Sequence, residues 1–117
     1  MSNHHLRKYL RHGMFPQLVA FEACVRIGSV TRAAAELSLA QPTVSCLVKK
    51  LSDSMGGPVM VVRDRRVVAT ALGLELLTLC IDVFDAFEGL DARLAAKAVR
   101  QHESAVENSD ARETAEL

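Results

Sequence analysis

The chain predicts a mainly α fold, a winged helix-turn-helix with a two-stranded β wing, followed by a long dimerisation helix. Three features predict it. Between Gly28 and Leu51 the residues GSVTRAAAELSLAQPTVSCLVKKL read as an Ala-rich helix, a three-residue turn and a second helix. Two short β-prone runs, VMVV and RVVA, follow with three charged residues between them. From Ala71 to about Val99 apolar residues recur at helical spacing.

Residues 1–13 form a basic N-terminal arm containing Arg7, Lys8 and Arg11, read either as a tail or as a strap lying along an anionic partner. A helix from about Met14 to Ile27 offers Leu18, Val19, Phe21, Ala23, Cys24 and Val25 as a wall for the next two helices. The first of these opens at Ser29, whose hydroxyl can accept from the unpaired amides of Val30 to Arg32, and its apolar stripe ends at Leu37. Ala33, Ala34 and Ala35 leave little bulk where a following helix must cross closely, so a larger residue at Ala34 should wedge the pair apart. Ser38, Leu39 and Ala40 make the turn. Pro42 suits the first turn of a helix, where its missing N–H costs nothing, and the second helix therefore begins near Gln41.

Along that helix Val44, Val48, Leu51 and Met55 recur at spacings of four, three and four, which places them on one buried stripe. Gln41, Thr43, Ser45, Cys46, Lys49 and Lys50 are left outward. Short polar groups of this kind reach base edges and lysines meet phosphates, so the surface suits double-stranded DNA. Any amphipathic surface helix would also show a polar face, but the Ala-rich partner and fixed turn favour DNA. The expected strands, Val59–Val62 and Arg66–Ala69, flank Arg63, Asp64 and Arg65, a positive tip suited to phosphates or a narrow minor groove; solvated turn chemistry is the plainer reading.

Net charge is zero, with 14 Lys and Arg against 14 Asp and Glu. The average hides a division. Through Thr70 ten basic residues stand against four acidic ones, plus six; from Ala71 onward four stand against ten, minus six. Attraction to DNA would be local and salt-sensitive, with the acidic part turned away.

The region 71–99 is expected to be the linker and dimerisation helix, with Thr70 as its N-cap and a stripe of Leu72, Leu76, Leu79, Val83, Phe87, Leu90 and Leu94. A second stripe, Leu74, Leu77, Ile81 and Phe84, is assigned to packing on its own domain. At ~1.5 Å per residue the helix is about 40 Å long, more than a winged domain of this size covers. A second copy is the expected cover, with an intramolecular core helix as the alternative. Residues 100–117 are an acidic tail, read as a frayed helix end or a disordered segment.

Phe21, the run GSVTRAAAEL from Gly28 to Leu37, QPTVS from Gln41 to Ser45, Leu51, Gly56, Arg65, Thr70 and Gly73 together resemble the N-terminal domain of LysR-type transcriptional regulators. The resemblance runs from about Phe15 to Gly73, with a helix beyond it. It implies a second helix that reads the major groove, a wing reaching toward the minor groove, and antiparallel pairing through the long helix. The chain departs from the pattern in places. Val59 and Met60 replace a Leu-Phe pair, Val62 replaces an arginine for which Arg63 is the nearest substitute, and Ala69 replaces a leucine. Ser52 replaces a glutamate, Cys46 a longer polar side chain, and Leu47 sits at a position usually polar. The family continues into an effector-binding domain whose opening strand does not appear after Arg100, which suggests a short regulator or a fragment with no small-molecule effector site in these residues.

The expected function is a homodimeric, sequence-specific DNA-binding transcriptional regulator preferring an interrupted inverted repeat. Gln41, Pro42, Thr43, Ser45 and Cys46 are assigned to bases, Thr31, Arg32, Lys49 and Lys50 to phosphates, and Arg65 to the minor groove. The alternative is a protein-interaction module or antagonist forming mixed dimers with a full-length regulator. No Gly-rich phosphate loop and no nucleophile beside an activating histidine is present, so neither enzyme chemistry nor a cofactor is indicated. Cys24, Cys46 and Cys80 are too far apart for a metal knuckle, and His4, His5, His12 and His102 are terminal. Cys24 and Cys80 are expected in the core and Cys46 on the DNA face. Glu75, Asp82 and Asp85 interrupt the longest apolar stretch, and no signal peptide is apparent, so a cytoplasmic protein that joins the nucleoid when bound to DNA is expected, with no membrane partner.

Overall fold

The computed structural model describes the backbone of residues 13–116 and side chains as far as residue 105; the basic arm, apart from Gly13, lies outside the described residues, as do His4, His5 and His12. The elements in chain order are α1 (Met14–Ile27), α2 (Val30–Leu37), α3 (Gln41–Met55), β1 (Met60–Arg63), β2 (Arg66–Ala69) and α4 (Ala71–Glu116). The chain forms two compact units, 1–81 and 82–117.

In the first unit the helix ends follow local chemistry. Ser29 Oγ accepts the Arg32 N–H at 3.2 Å, which caps α2. Ser38, at φ 56°, closes α2 in the left-handed region, and the Leu39 N–H returns to the Ala34 carbonyl at 2.9 Å. Pro42 occupies the first turn of α3, and Gly56 ends that helix at φ 84°.

Phe21, Leu18, Ala20, Ala23 and Cys24 of α1, Ala33 and Ala34 of α2, and Val44, Val48 and Leu51 of α3 are all buried together with Val59, Val67, Leu76 and Cys80. Each fully buried Phe, Leu or Val side chain stabilises by ~1.5–3 kcal/mol relative to exposure. Three expectations shift here. Gln17, absent from the expected wall, is fully buried, whereas Val19 and Val25 are half-buried. Ala35 is exposed, so only Ala33 and Ala34 serve the close crossing. Met55 is half-buried at the end of an otherwise buried α3 stripe. Arg26 ties α1 to α2: its Nε donates to Glu22 at 2.7 Å and its guanidinium to both Glu36 oxygens at 3.1 and 2.5 Å. That bond holds the Glu36 carboxyl below its ordinary range, but both partners are exposed, so the pair adds little to stability.

The wing is an antiparallel hairpin with Met60 opposite Ala69, Val61 opposite Val68, Val62 opposite Val67 and Arg63 opposite Arg66. Its first strand begins one residue later than expected. Val59 instead goes fully into the core, with its N–H on Ser52 Oγ at 3.3 Å and its carbonyl accepting from Thr70 N at 3.1 Å. Arg63 is thereby a strand residue and the turn shortens to Asp64 and Arg65, both at positive φ (52° and 63°), as the primed two-residue hairpin turns require. Val67 N donates to the Gly28 carbonyl at 3.0 Å, fastening the wing to the α1–α2 junction.

Thr70 caps α4 as expected. Its hydroxyl accepts the Gly73 N–H at 3.1 Å and donates to the Pro58 carbonyl at 2.7 Å. The helix continues past Val99 to Glu116, which fits the helix-end reading of the acidic residues beyond 100. The physical reason is that polarity does not end a helix: residues 90–117 contain neither Gly nor Pro and are rich in Ala, Glu and Arg. The two stripes are also reassigned within the first unit. Gly73, Leu76 and Cys80, spaced three and four apart, are the buried row, while Leu74 and Ile81, expected inside, are exposed. Leu76 therefore belongs to the core of its own domain, not to a free dimer face; Leu72 is half-buried and Leu79 exposed. In the second unit Val83 and Phe84 are half-buried, and Phe87, Leu90 and Leu94 are exposed.

Candidate nucleic-acid interface

The helix-turn-helix presents one face to the core and the other to solvent. Val44, Val48 and Leu51 are buried, and between them Gln41, Pro42, Thr43, Ser45, Cys46, Lys49 and Lys50 are all exposed. Thr31 and Arg32, in the first turn of α2, are exposed as well. Leu47 is half-buried beside the α3 stripe, which accounts for an apolar residue at that position. No side chain of Arg32, Lys49, Lys50, Arg63, Arg65 or Arg66 has a carboxylate within salt-bridge distance among the described residues; the ion pairs are those of Arg26.

Arginines crowd the wing at a cost. Arg63 and Arg66 lie directly opposite in the register, where like charges repel, and Arg65 holds a left-handed backbone unfavourable to a residue with a Cβ by ~1–2 kcal/mol. Only Asp64 offsets them in sequence. Such an arrangement suits an external polyanion. Val62 is 71% exposed and its strand neighbour Arg63 is exposed as well. The Arg66 side chain lies over Gly28, so close that a Cβ there would sit 2.8 Å from Nε. Sequence reasoning missed this approach, because Gly28 and Arg66 meet only through the fold.

A second link also escaped the sequence. Thr31 Oγ1 lies 3.1 Å from Gln41 Oε1, joining the start of α2 to the start of α3.

Cys24 and Cys80 are buried and Cys46 is exposed. Burial pushes the Cys80 thiol up to about 11, with the Glu22 charge adding to it, and burial alone raises Cys24. The Cys80 thiol also donates to the Leu18 carbonyl at 3.8 Å. A raised thiol is protonated near neutrality, and only the thiolate reacts. At pH 8 an aromatic disulfide reagent is therefore expected to modify one thiol in the native protein and three in denaturant. Cys46→Ser should abolish the native reaction; rapid labelling of two or more native thiols would contradict the burial.

Among the described residues no group of three or more His, Cys, Asp or Glu side chains is placed to hold a metal ion, and no helix is long and apolar enough to cross a membrane.

The family of bacterial regulatory helix-turn-helix proteins of the lysR type matches residues 15–74, more than half of the chain. The chain belongs to the LysR family. It is 34% identical over 87 residues to the RuBisCO operon transcriptional regulator of Acidithiobacillus ferrooxidans, a match that takes in 74% of this chain and 28% of that protein. The LysR-family chain thus spans little more than a quarter of that relative's length. Among solved structures it is similar to the BenM_DBD/catB site 1 DNA complex, with TM-score 0.65 and 27% identity over 76% of this chain and 93% of that one. The CbnR_DBD–DNA complex is similar at TM-score 0.63 and 25% identity, covering 72% and 97%. The fold is the winged helix-turn-helix with a long helix seen in LysR DNA-binding domains, and the relatives are transcriptional regulators, not enzymes.

Proposed function

We propose that this LysR-family chain binds double-stranded DNA in a sequence-specific manner as a homodimer and regulates transcription in the cytoplasm, at the nucleoid. The observation that carries the reading is the exposed face of α3, where polar residues near the N-terminus and two lysines without a carboxylate partner among the described residues stand opposite the buried Val44, Val48 and Leu51. In this reading α3 enters the major groove, with Gln41, Pro42, Thr43, Ser45 and Cys46 toward bases and Arg32, Lys49 and Lys50 on phosphates. Arg65 reaches the minor groove. The similar solved domains are complexes with DNA, which supports the same docking.

Homodimerisation is supported by the second unit. Phe87, Leu90 and Leu94 are exposed on one side of α4, continued from Val83, and no acidic or basic residue interrupts that stripe. Asp82, Arg93, Lys97 and Arg100 share one flank of it, the acid at one end and the bases at the other. An antiparallel two-fold pair sets each flank against its own copy in reverse, bringing Asp82 to Lys97 about an axis near Leu90. Two such domains would read an interrupted inverted repeat. No small-molecule effector site is assigned to these residues.

The test is binding to a duplex selected from a random library, at two salt concentrations, with Lys49→Ala and Lys50→Ala. Each substitution is expected to weaken binding and to reduce the salt slope by about one. If both variants keep the wild-type affinity and slope, the DNA reading falls and the mixed-dimer interaction module takes its place.

A further inference from the structure

The pair formed by Thr31 and Gln41 decides more than a contact. Thr31 is exposed in the first turn of α2, Gln41 is exposed as the first residue of α3, and Thr31 Oγ1 lies 3.1 Å from Gln41 Oε1. A carbonyl oxygen carries no proton, so between a hydroxyl and that oxygen only the hydroxyl can donate. Two consequences follow from this direction.

The first concerns Thr31. A hydroxyl has one proton, and here it is engaged by Gln41. Phosphate oxygens only accept, so Thr31 cannot donate to a phosphate while this bond stands. The second concerns Gln41. Its amide is planar, and its Oε1 is held toward α2. The two hydrogens on Nε2 have no partner among the described residues. An unrestrained glutamine reads adenine with both ends, accepting from N6 and donating to N7, which requires Oε1 and Nε2 to face the same base edge. A glutamine whose oxygen is turned to the protein offers donors alone.

We infer that Thr31 is a positioning residue that fixes the Gln41 amide as a hydrogen-bond donor, so that Gln41 favours guanine, whose N7 and O6 both accept, over adenine, which sets the N6 donor beside N7. The inference rests on the DNA-binding reading above and adds the chemical class of base that one residue reads. A neutral hydrogen bond of this kind shifts such a preference by a factor of roughly five.

The experiment is selection from a random duplex library with the full chain and with Thr31→Val, which keeps the shape and loses the hydroxyl, Thr31→Ser, which keeps the hydroxyl, and Gln41→Ala, which marks the base position Gln41 reads. Wild type and Thr31→Ser are expected to enrich guanine at that position, and Thr31→Val to gain adenine by roughly fivefold with its melting temperature unchanged. In the free protein, the Gln41 side-chain amide should show a fixed orientation by NMR that is lost in Thr31→Val and kept in Thr31→Ser. A base preference identical in wild type and Thr31→Val, or enrichment of adenine by the wild type, overturns the inference while leaving DNA binding intact. Failure of the wild type to enrich any sequence overturns the DNA-binding reading itself.

Discussion

Gly73→Ala is expected to lower the melting temperature of the winged domain by on the order of 15 °C, whereas Gly89→Ala in the same helix should leave it unchanged or raise it. In a helix alanine is ordinarily better than glycine by ~1 kcal/mol, so both changes would stabilise if propensity decided. At Gly73 it does not. A Cβ there would lie 1.9 Å from the Val59 carbonyl oxygen and 3.2 Å from the Ala69 Cβ. The obstruction is backbone, and that oxygen also accepts the Thr70 N–H at 3.1 Å. Relief must part α4 from the segment leading into the wing, which lies beyond ordinary overpacking at ~1–3 kcal/mol. At Gly89 the nearest atom is the flexible Arg93 Nη1 at 3.6 Å, an ordinary contact. Circular dichroism melts of the two variants decide the matter, and a Gly73→Ala protein melting within two or three degrees of wild type, as roughly 0.5 kcal/mol would allow, would show that the helix start is not held so closely.

On the proposed pairing, Phe87→Glu should yield a monomer at concentrations where the wild type is dimeric. Phe87 is 48% exposed in a single copy and stands between Val83 and Leu90 on the α4 stripe. An aromatic residue at the centre of an interface typically carries 2 kcal/mol or more, and a carboxylate buried there without a partner adds to the loss, so the dissociation constant should rise by at least about a hundredfold. Light scattering across a dilution series measures it. The charge flank gives a finer check: Lys97→Glu should weaken pairing, and adding Asp82→Lys should restore it, because the swap reverses both ends of the flank together. Leu76→Glu is expected to unfold the domain instead, since Leu76 is only 7% exposed against its own core. A Phe87→Glu protein that stays dimeric would move the interface elsewhere.

Much of this architecture was legible because its signals are local. A hydroxyl at Ser29, a proline at Pro42, glycines at Gly28 and Gly56 and a threonine at Thr70 each act on backbone groups within four residues of themselves. The boundaries of α1, α2 and α3 could therefore be read one turn at a time. The α3 stripe was legible for the same reason, since its spacing is set by the helix alone. The wing was visible as two β-prone runs but displaced by one residue, because Val59 leaves the strand for a core contact with α3 that no local pattern encodes. The exposed lysines followed from the stripe; the Thr31–Gln41 bond did not, because its partners meet across a turn whose angle depends on how α2 packs on α3.

The long helix shows the division most clearly. Its start, its amphipathic character and its excess over one domain's needs belong to the sequence, since capping, periodicity and ~1.5 Å of rise per residue require nothing else. Which row turns inward was settled by the domain beneath it: Gly73 admits the Val59 carbonyl, and that approach rotates Leu76 and Cys80 into the core and leaves Leu74 and Ile81 outside. Hydrophobicity names the residues that seek cover, but two apolar rows on one helix compete for it. Only the steric fit of a particular backbone against a particular glycine breaks the tie.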